Sequence, residues 1–160
     1  IHPHAIIKIQ EHIALSDILR LHLSMKTISG MTREIKGEII HGNQIGRTLG
    51  FPTANIRISY DNDAANGVYA ALVRIGDTFY RAMLNIGTRP TIGHGTERFA
   101  EAHLFGFSGD IYGQTITVSL LSYIRPERRF PDIESLRNQL EIDRKAILAY
   151  FATNNGIPTV

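Results

Sequence analysis

The stretch VYAALVRIGDTFYRAMLNI, residues 68–86, decides the fold. Two runs rich in β-branched, aromatic and aliphatic side chains, 68–75 and 79–86, flank Gly76-Asp77. A short connection containing Gly between two such runs predicts a β-hairpin. The same punctuation repeats on both sides of it. Toward the N-terminus, EIKGEIIH at 34–41 predicts a first strand, with Gly37 as a bulge. A Gly-rich loop over 41–52, a short strand over 53–58 and a polar connection over 60–66 follow. Toward the C-terminus, a Gly/Pro/Thr loop spans 87–95, and residues 98–107 predict a strand. A turn at Ser108-Gly109-Asp110 precedes a last long strand, QTITVSLLSY, at 114–123. Residues 132–151 then read as a helix. Asp132 is a suitable N-cap, and Glu134 suits the positive helix start. Ile133, Leu136, Leu140, Ile147 and Phe151 recur at roughly helical spacing, giving one apolar stripe. Several short strands closed by one helix predict a mainly β, small antiparallel barrel with the helix packed outside.

The remaining features set bounds on this reading. At 160 residues the chain holds one domain with a short appendage. Residues 31–160 form the predicted barrel domain. Residues 1–30 differ in character. A helix is predicted over 14–25, started by Ser16-Asp17 and stopped by Gly30, as a linker or docking segment. The chain begins at Ile1 rather than Met, so a fragment of a longer protein is expected. The formal charge is only +2. The high pI of 9.1 therefore reflects a small Lys/Arg surplus rather than a basic stripe, and no nucleic-acid partner is expected. The absence of cysteine excludes disulfides and thiolate metal sites. No apolar run is long enough to cross a bilayer, and the start lacks the pattern of a secretory signal, so a cytoplasmic protein is the expectation.

Four stretches carry residues with chemical potential. In Gly42-Asn43-Gln44-Ile45-Gly46-Arg47-Thr48-Leu49-Gly50, three glycines let backbone N–H groups approach an anion, and Arg47 adds a charge. The spacing departs from a P-loop, and a plain turn explains it equally well. In Phe51-Pro52-Thr53-Ala54-Asn55, a strand would place Thr53 and Asn55 on one face. They are then either two polar residues facing solvent or a pair of hard oxygen ligands suited to Mg²⁺. In Phe99-Ala100-Glu101-Ala102-His103-Leu104, strand alternation turns Ala100, Ala102 and Leu104 to the core, with Glu101 and His103 on the other face. Glu101 is then a positioned base or one member of an exposed charge pair. Finally, Tyr123-Ile124-Arg125-Pro126-Glu127-Arg128-Arg129-Phe130 is a solvated loop or a site for a planar anionic ligand, since Arg both stacks and pairs with phosphate. His2 and His4 form the one close histidine pair, in a terminal segment.

In this order, these stretches resemble the riboflavin kinase family. Gly37-Glu38-Ile39-Ile40-His41-Gly42, with Gly46 to Asn55, resembles that family's opening signature. Asn66-Gly67-Val68-Tyr69-Ala70, Asn85-Ile86-Gly87-Thr88-Arg89-Pro90-Thr91, Glu101-Ala102-His103-Leu104, Asp110-Ile111-Tyr112-Gly113 and residues 123–130 follow in turn. The resemblance covers residues 32–151. It implies a six-stranded antiparallel Greek-key barrel with a C-terminal α-helix, here carrying a short N-terminal helical extension. It also implies transfer of the ATP γ-phosphoryl group to the riboflavin 5′-hydroxyl, giving FMN and ADP, with Mg²⁺ as cofactor. On this resemblance Glu101 is the catalytic base, and Thr53 and Asn55 hold Mg²⁺ and the phosphates. Gly42, Arg47 and Tyr112 lie on the ATP side, and Arg125, Arg128 and Phe130 close over the flavin. Ala100 and Ala102 depart from the larger residues usual beside the base. Residues 1–30 do not share the resemblance. In many bacterial relatives the kinase follows an adenylyltransferase domain, so such a partner domain is expected in a longer chain. The competing expectations are a non-catalytic flavin- or nucleotide-binding barrel and an interaction domain docking through residues 14–25.

Overall fold

The computed structural model describes residues 33–42, 45–59, 61–90, 92–93 and 95–154. The expected helix at 14–25 lies outside them. Six strands alternate with turns: β1 (Glu34–Ile40), β2 (Ala54–Ile58), β3 (Gly67–Ile75), β4 (Thr78–Pro90), β5 (Thr96–Leu104) and β6 (Thr115–Arg125). One helical turn, α1 (Ile45–Thr48), interrupts the first loop, and a long helix, α2 (Ile133–Thr153), ends the described chain. All pairings are antiparallel, and the strands close into a barrel in the order β1-β2-β5-β4-β3-β6. Strands β3, β4 and β5 follow one another as neighbours, and β6 returns to lie beside β3. That arrangement is the Greek key. Among the described strands, closure leaves no sheet edge open to another chain.

The predicted hairpin is the spine of this barrel, with β3 and β4 paired from Ile75↔Thr78 to Gly67↔Ile86 around Gly76-Asp77. Alternation along the strands sends one set of side chains inward. Ile56, Leu84, Ile86, Ala100, Ala102 and Val118 are all fully buried in that interior cluster. A six-stranded barrel is narrow, so bulky residues must alternate with small ones to fill it. Ala54, Ala71, Ala82, Ala100 and Ala102 are those small residues, which accounts for the alanines on either side of Glu101.

Three sequence expectations are corrected. Gly37 is no bulge: it pairs regularly with Ile116, and a Cβ there would come within 2.3 Å of Ile56 Cγ2. Its role is close packing. The register shifts lie instead between β3 and β6, at Val68/Tyr69 and Ala70/Ala71. Strand β4 runs on through Gly87 to Pro90, a segment expected as loop, because β5 starts at Thr96 and keeps pairing with it. Ile133 is exposed rather than part of the packed helix stripe.

Helix α2 starts where Asp132 accepts a hydrogen bond from the Ser135 N–H at 2.7 Å. That bond holds the Asp132 carboxyl below its usual range. The helix lays Leu136, Leu140, Ile147 and Phe151 on the outer face of the barrel, over Val68, Ala70 and Met83. This second apolar layer covers part of the outer face and leaves a hollow beside it.

Candidate active site

Strand register builds the site. Asn55 on β2 pairs with Glu101 on β5, and Glu101 pairs with Asn85 on β4. Asn85 pairs with Val68 on β3, which pairs with Arg125 on β6. Directly opposed residues share a face, so this row runs across the outside of five strands. On β2, β5, β4 and β3 its neighbours along the strand point into the apolar interior, whereas on β6 Ile124 packs with the outer layer. Polar and charged side chains are thereby gathered on rigid sheet at the border of the helix-covered layer.

The row opens into a cavity of about 300 Å³, within the range of small-molecule sites. Glu101 and Thr53 line it on the β2/β5 side, and Arg125, Arg128 and Phe130 on the α2 side. Its floor is apolar, with Leu49, Val68 and Met83, and Leu136 and Leu140 of the helix close it. The expected base and the expected flavin-side residues therefore share one cavity with Thr53. Asn55, Gly42, Arg47 and Tyr112 are outside its wall. Asn55 is buried beside Glu101, and Gly42 lies against it so closely that a Cβ at 42 would fall 2.1 Å from Asn55 Nδ2. Next to Gly42, His41 stacks on Tyr112 with ring centres 4.0 Å apart. Arg47 is exposed on α1. The loop that carries it is pinned by the Phe51 N–H donating to the Gly46 carbonyl at 2.7 Å.

Three features were not foreseen from sequence. The first is Arg89, whose guanidinium forms an ion pair with Glu101 and donates to Asn55 Oδ1 at 3.2 Å. Extending the alternation Asn85, Gly87, Arg89 would have placed it on the same face. The second is Asp143, which takes Arg125 in a two-pronged pair, Nε to Oδ1 at 2.8 Å and NH2 to Oδ2 at 2.7 Å. Gln139 donates to the same carboxylate at 2.9 Å and accepts from Arg128 at 3.1 Å. Asp143 fills the position between Leu140 and Ile147 in the helix stripe, so a charged residue in an apolar slot was the available signal. Arg125 and Arg128 also lie 5.9 and 5.7 Å from the Phe130 ring centre, which holds that ring at the cavity rim. The third is His103, whose Nδ1–H donates to the Pro52 carbonyl at 2.9 Å and so ties β5 to the Pro52-Thr53 turn. Burial pushes this imidazole below its ordinary range.

The donor set suits Mg²⁺ in a particular way. Thr53 and Asn55 carry neutral hard oxygens, the ligand type that ion prefers, with the Asn55 Oδ1 engaged by Arg89. Among the described residues, no group of three or more His, Asp or Glu side chains is arranged to hold a metal. Two neutral oxygens fit an ion that brings phosphate oxygens and waters as its other ligands.

The fold and site together define a closed Greek-key barrel with a ligand-sized cavity between its outer sheet face and one helix. The family model described as riboflavin kinase matches residues 29–151, and the chain belongs to that family. It is 42% identical over 127 residues to the bifunctional riboflavin kinase/FMN adenylyltransferase of Haemophilus influenzae. That match covers 79% of this chain and 41% of the relative, so the chain spans less than half of that protein's length. Among solved structures it is similar to a macrolide-efflux protein from Streptococcus pneumoniae, with 35% identity and a TM-score of 0.68, over 79% of this chain and 41% of that one. It shares its fold with riboflavin kinase from Trypanosoma brucei, with 22% identity and a TM-score of 0.55, over 78% and 83% of the two chains. Among the described residues no helix is long and apolar enough to cross a membrane.

Proposed function

We propose that this chain transfers the γ-phosphoryl group of ATP to the 5′-hydroxyl of riboflavin, giving FMN and ADP. One observation carries the reading beyond family membership: Glu101 opens into the same cavity as Thr53 and is the direct strand partner of Asn55. Transfer to an alcohol requires alignment, neutralised phosphate charge and a destination for the hydroxyl proton. Glu101 accepts that proton while the hydroxyl oxygen bonds to the γ-phosphorus, and the bond from that phosphorus to the bridging oxygen breaks to release ADP. General-base assistance of this kind is worth ~10²–10⁴-fold. Thr53 and Asn55 would hold Mg²⁺ together with the phosphates, and that ion would supply charge neutralisation there.

The nucleotide side is Gly42, Arg47 and Tyr112, where the His41–Tyr112 stack offers an aromatic surface. The flavin side is Phe130 with Arg128, over the apolar floor. Arg125 shapes this wall through its bond to Asp143. Rigid strands carry the reacting groups, which favours the near-contact alignment that transfer needs. In a longer chain, residues 31–160 would act as the kinase unit beside an adenylyltransferase domain, as in the bifunctional relative, and the cytoplasm is the compartment we infer. Incubation with riboflavin, ATP and Mg²⁺, followed by chromatography, is expected to yield FMN and ADP in equal amounts. Binding of both ligands with no FMN formed would make the barrel a passive flavin- or nucleotide-binding module.

A further inference from the structure

Arg89 is a charged group beside the reacting side chains that the transfer described above leaves unused. It stands near the end of β4, opposite Glu97. Glu97 is itself engaged by Arg57 at 3.5 Å, and Arg89 reaches past it to Glu101 and Asn55. Its guanidinium also lies 5.0 Å from the Phe99 ring centre, which supports it from one side. Burial pushes Arg89 below the usual arginine range. A partly desolvated cation of this kind needs anionic or oxygen partners.

The two groups it bridges have separate tasks in the proposed transfer. While Arg89 holds Oε1, only the second Glu101 oxygen is open to a hydroxyl proton, and the Asn55 Oδ1 that Arg89 occupies is the oxygen proposed for Mg²⁺. The planar fork of a guanidinium fits phosphate oxygens as well as it fits a carboxylate. We propose that Arg89 is an exchangeable latch: without nucleotide it holds Glu101 and Asn55, and an incoming polyphosphate takes over the guanidinium and releases both. This rests on the roles given above to Glu101 and Asn55. It adds that nucleotide binding must break an existing ion pair, so that nucleotide affinity and the availability of Glu101 are linked.

The test is a double-mutant cycle on binding, which separates coupling from independent effects. Mg·ADP is titrated calorimetrically into the unaltered chain, Glu101→Gln, Arg89→Met and the double variant. Glu101→Gln is expected to bind severalfold more tightly, because Arg89 no longer has a carboxylate to leave. Arg89→Met is expected to bind about tenfold more weakly, the scale of a lost charged hydrogen bond. Adding Glu101→Gln to Arg89→Met should then bring no gain. An unchanged affinity in Glu101→Gln overturns the latch. So does an equal gain with and without Arg89, which would be simple charge repulsion. If Arg89→Met melts early, Arg89→Lys serves as the background, where the gain should fall below half; a full gain there also overturns the latch. FMN formation by Glu101→Gln is read separately. Full turnover in that variant removes the base assignment and leaves the binding cycle to stand or fall by itself.

Discussion

Two arginine–carboxylate pairs border the same cavity, and they differ in what surrounds them. In Arg125–Asp143 the carboxylate side chain is 2% exposed, both of its oxygens are bonded, and Gln139 adds a further donor. In Arg89–Glu101 the two side chains are 28% and 24% exposed, and the carboxylate faces open space. The first pair has its carboxylate sealed off and fully bonded, so it fastens α2 to the end of β6 even though Arg125 lines the cavity. In the second pair Glu101 lines the cavity and both side chains are about a quarter exposed, so its partners can change. The same pair of functional groups becomes a fastening or a switch according to burial and to the number of bonds already made.

Opposite responses to substitution would sharpen this contrast. Glu101→Gln is expected to lower turnover by ~10²–10⁴-fold, the range of a lost general base. Its urea unfolding should shift by less than about 1 kcal/mol, as for a pair within reach of solvent. Asp143→Ala is expected to do the reverse, costing about 3 kcal/mol, the low end for a broken buried pair, because it takes the carboxylate from a partly buried guanidinium. If the two variants lost stability equally, the distinction between the pairs would be gone.

A smaller effect is expected at Thr53. Thr53→Ala should raise the KM for Mg·ATP by about tenfold, since one charge-assisted contact is lost, with kcat falling less. A normal Mg²⁺ dependence in that variant would move the ion away from this turn.

The smallest effect concerns His103, which links the same turn to β5. Its imidazole sits below the ordinary value near 6.5 because burial disfavours the charged form; the bond to Pro52 opposes this, Arg144 adds to it and Glu141 opposes it. The unfolded chain therefore binds the proton more readily than the folded one. Stability from neutral His103 is present above about pH 6.5 and is lost as pH falls toward the lower folded value. Melting temperature is expected to drop between pH 7 and pH 5, and to drop less in His103→Gln. An identical slope in that variant would assign the pH dependence to other groups.

The strand pattern was written in the order of residues. Alternation and turn residues placed the β3/β4 hairpin, the inward alanines and the outward Glu101, because side-chain direction in a strand follows from position alone. The cap at Asp132 and the stripe on α2 were legible for the same local reason. Gly37 misled, since bulge and close packing call for the same residue and only the neighbouring Ile56 separates them.

Partnership across the barrel was not legible. That Glu101 lies between Asn55 and Asn85 depends on the register of β2, β5 and β4, and Greek-key closure brings in β6 from far along the chain. Arg89 was quoted within a motif, yet its reach to Glu101 appears only once β4 continues through Pro90. Residue order settles which face a side chain takes within a regular strand, a matter of backbone geometry over a few residues. Tertiary structure alone decided which charges meet and which remain exchangeable, because those depend on long-range pairing and on how much water the fold excludes around each group.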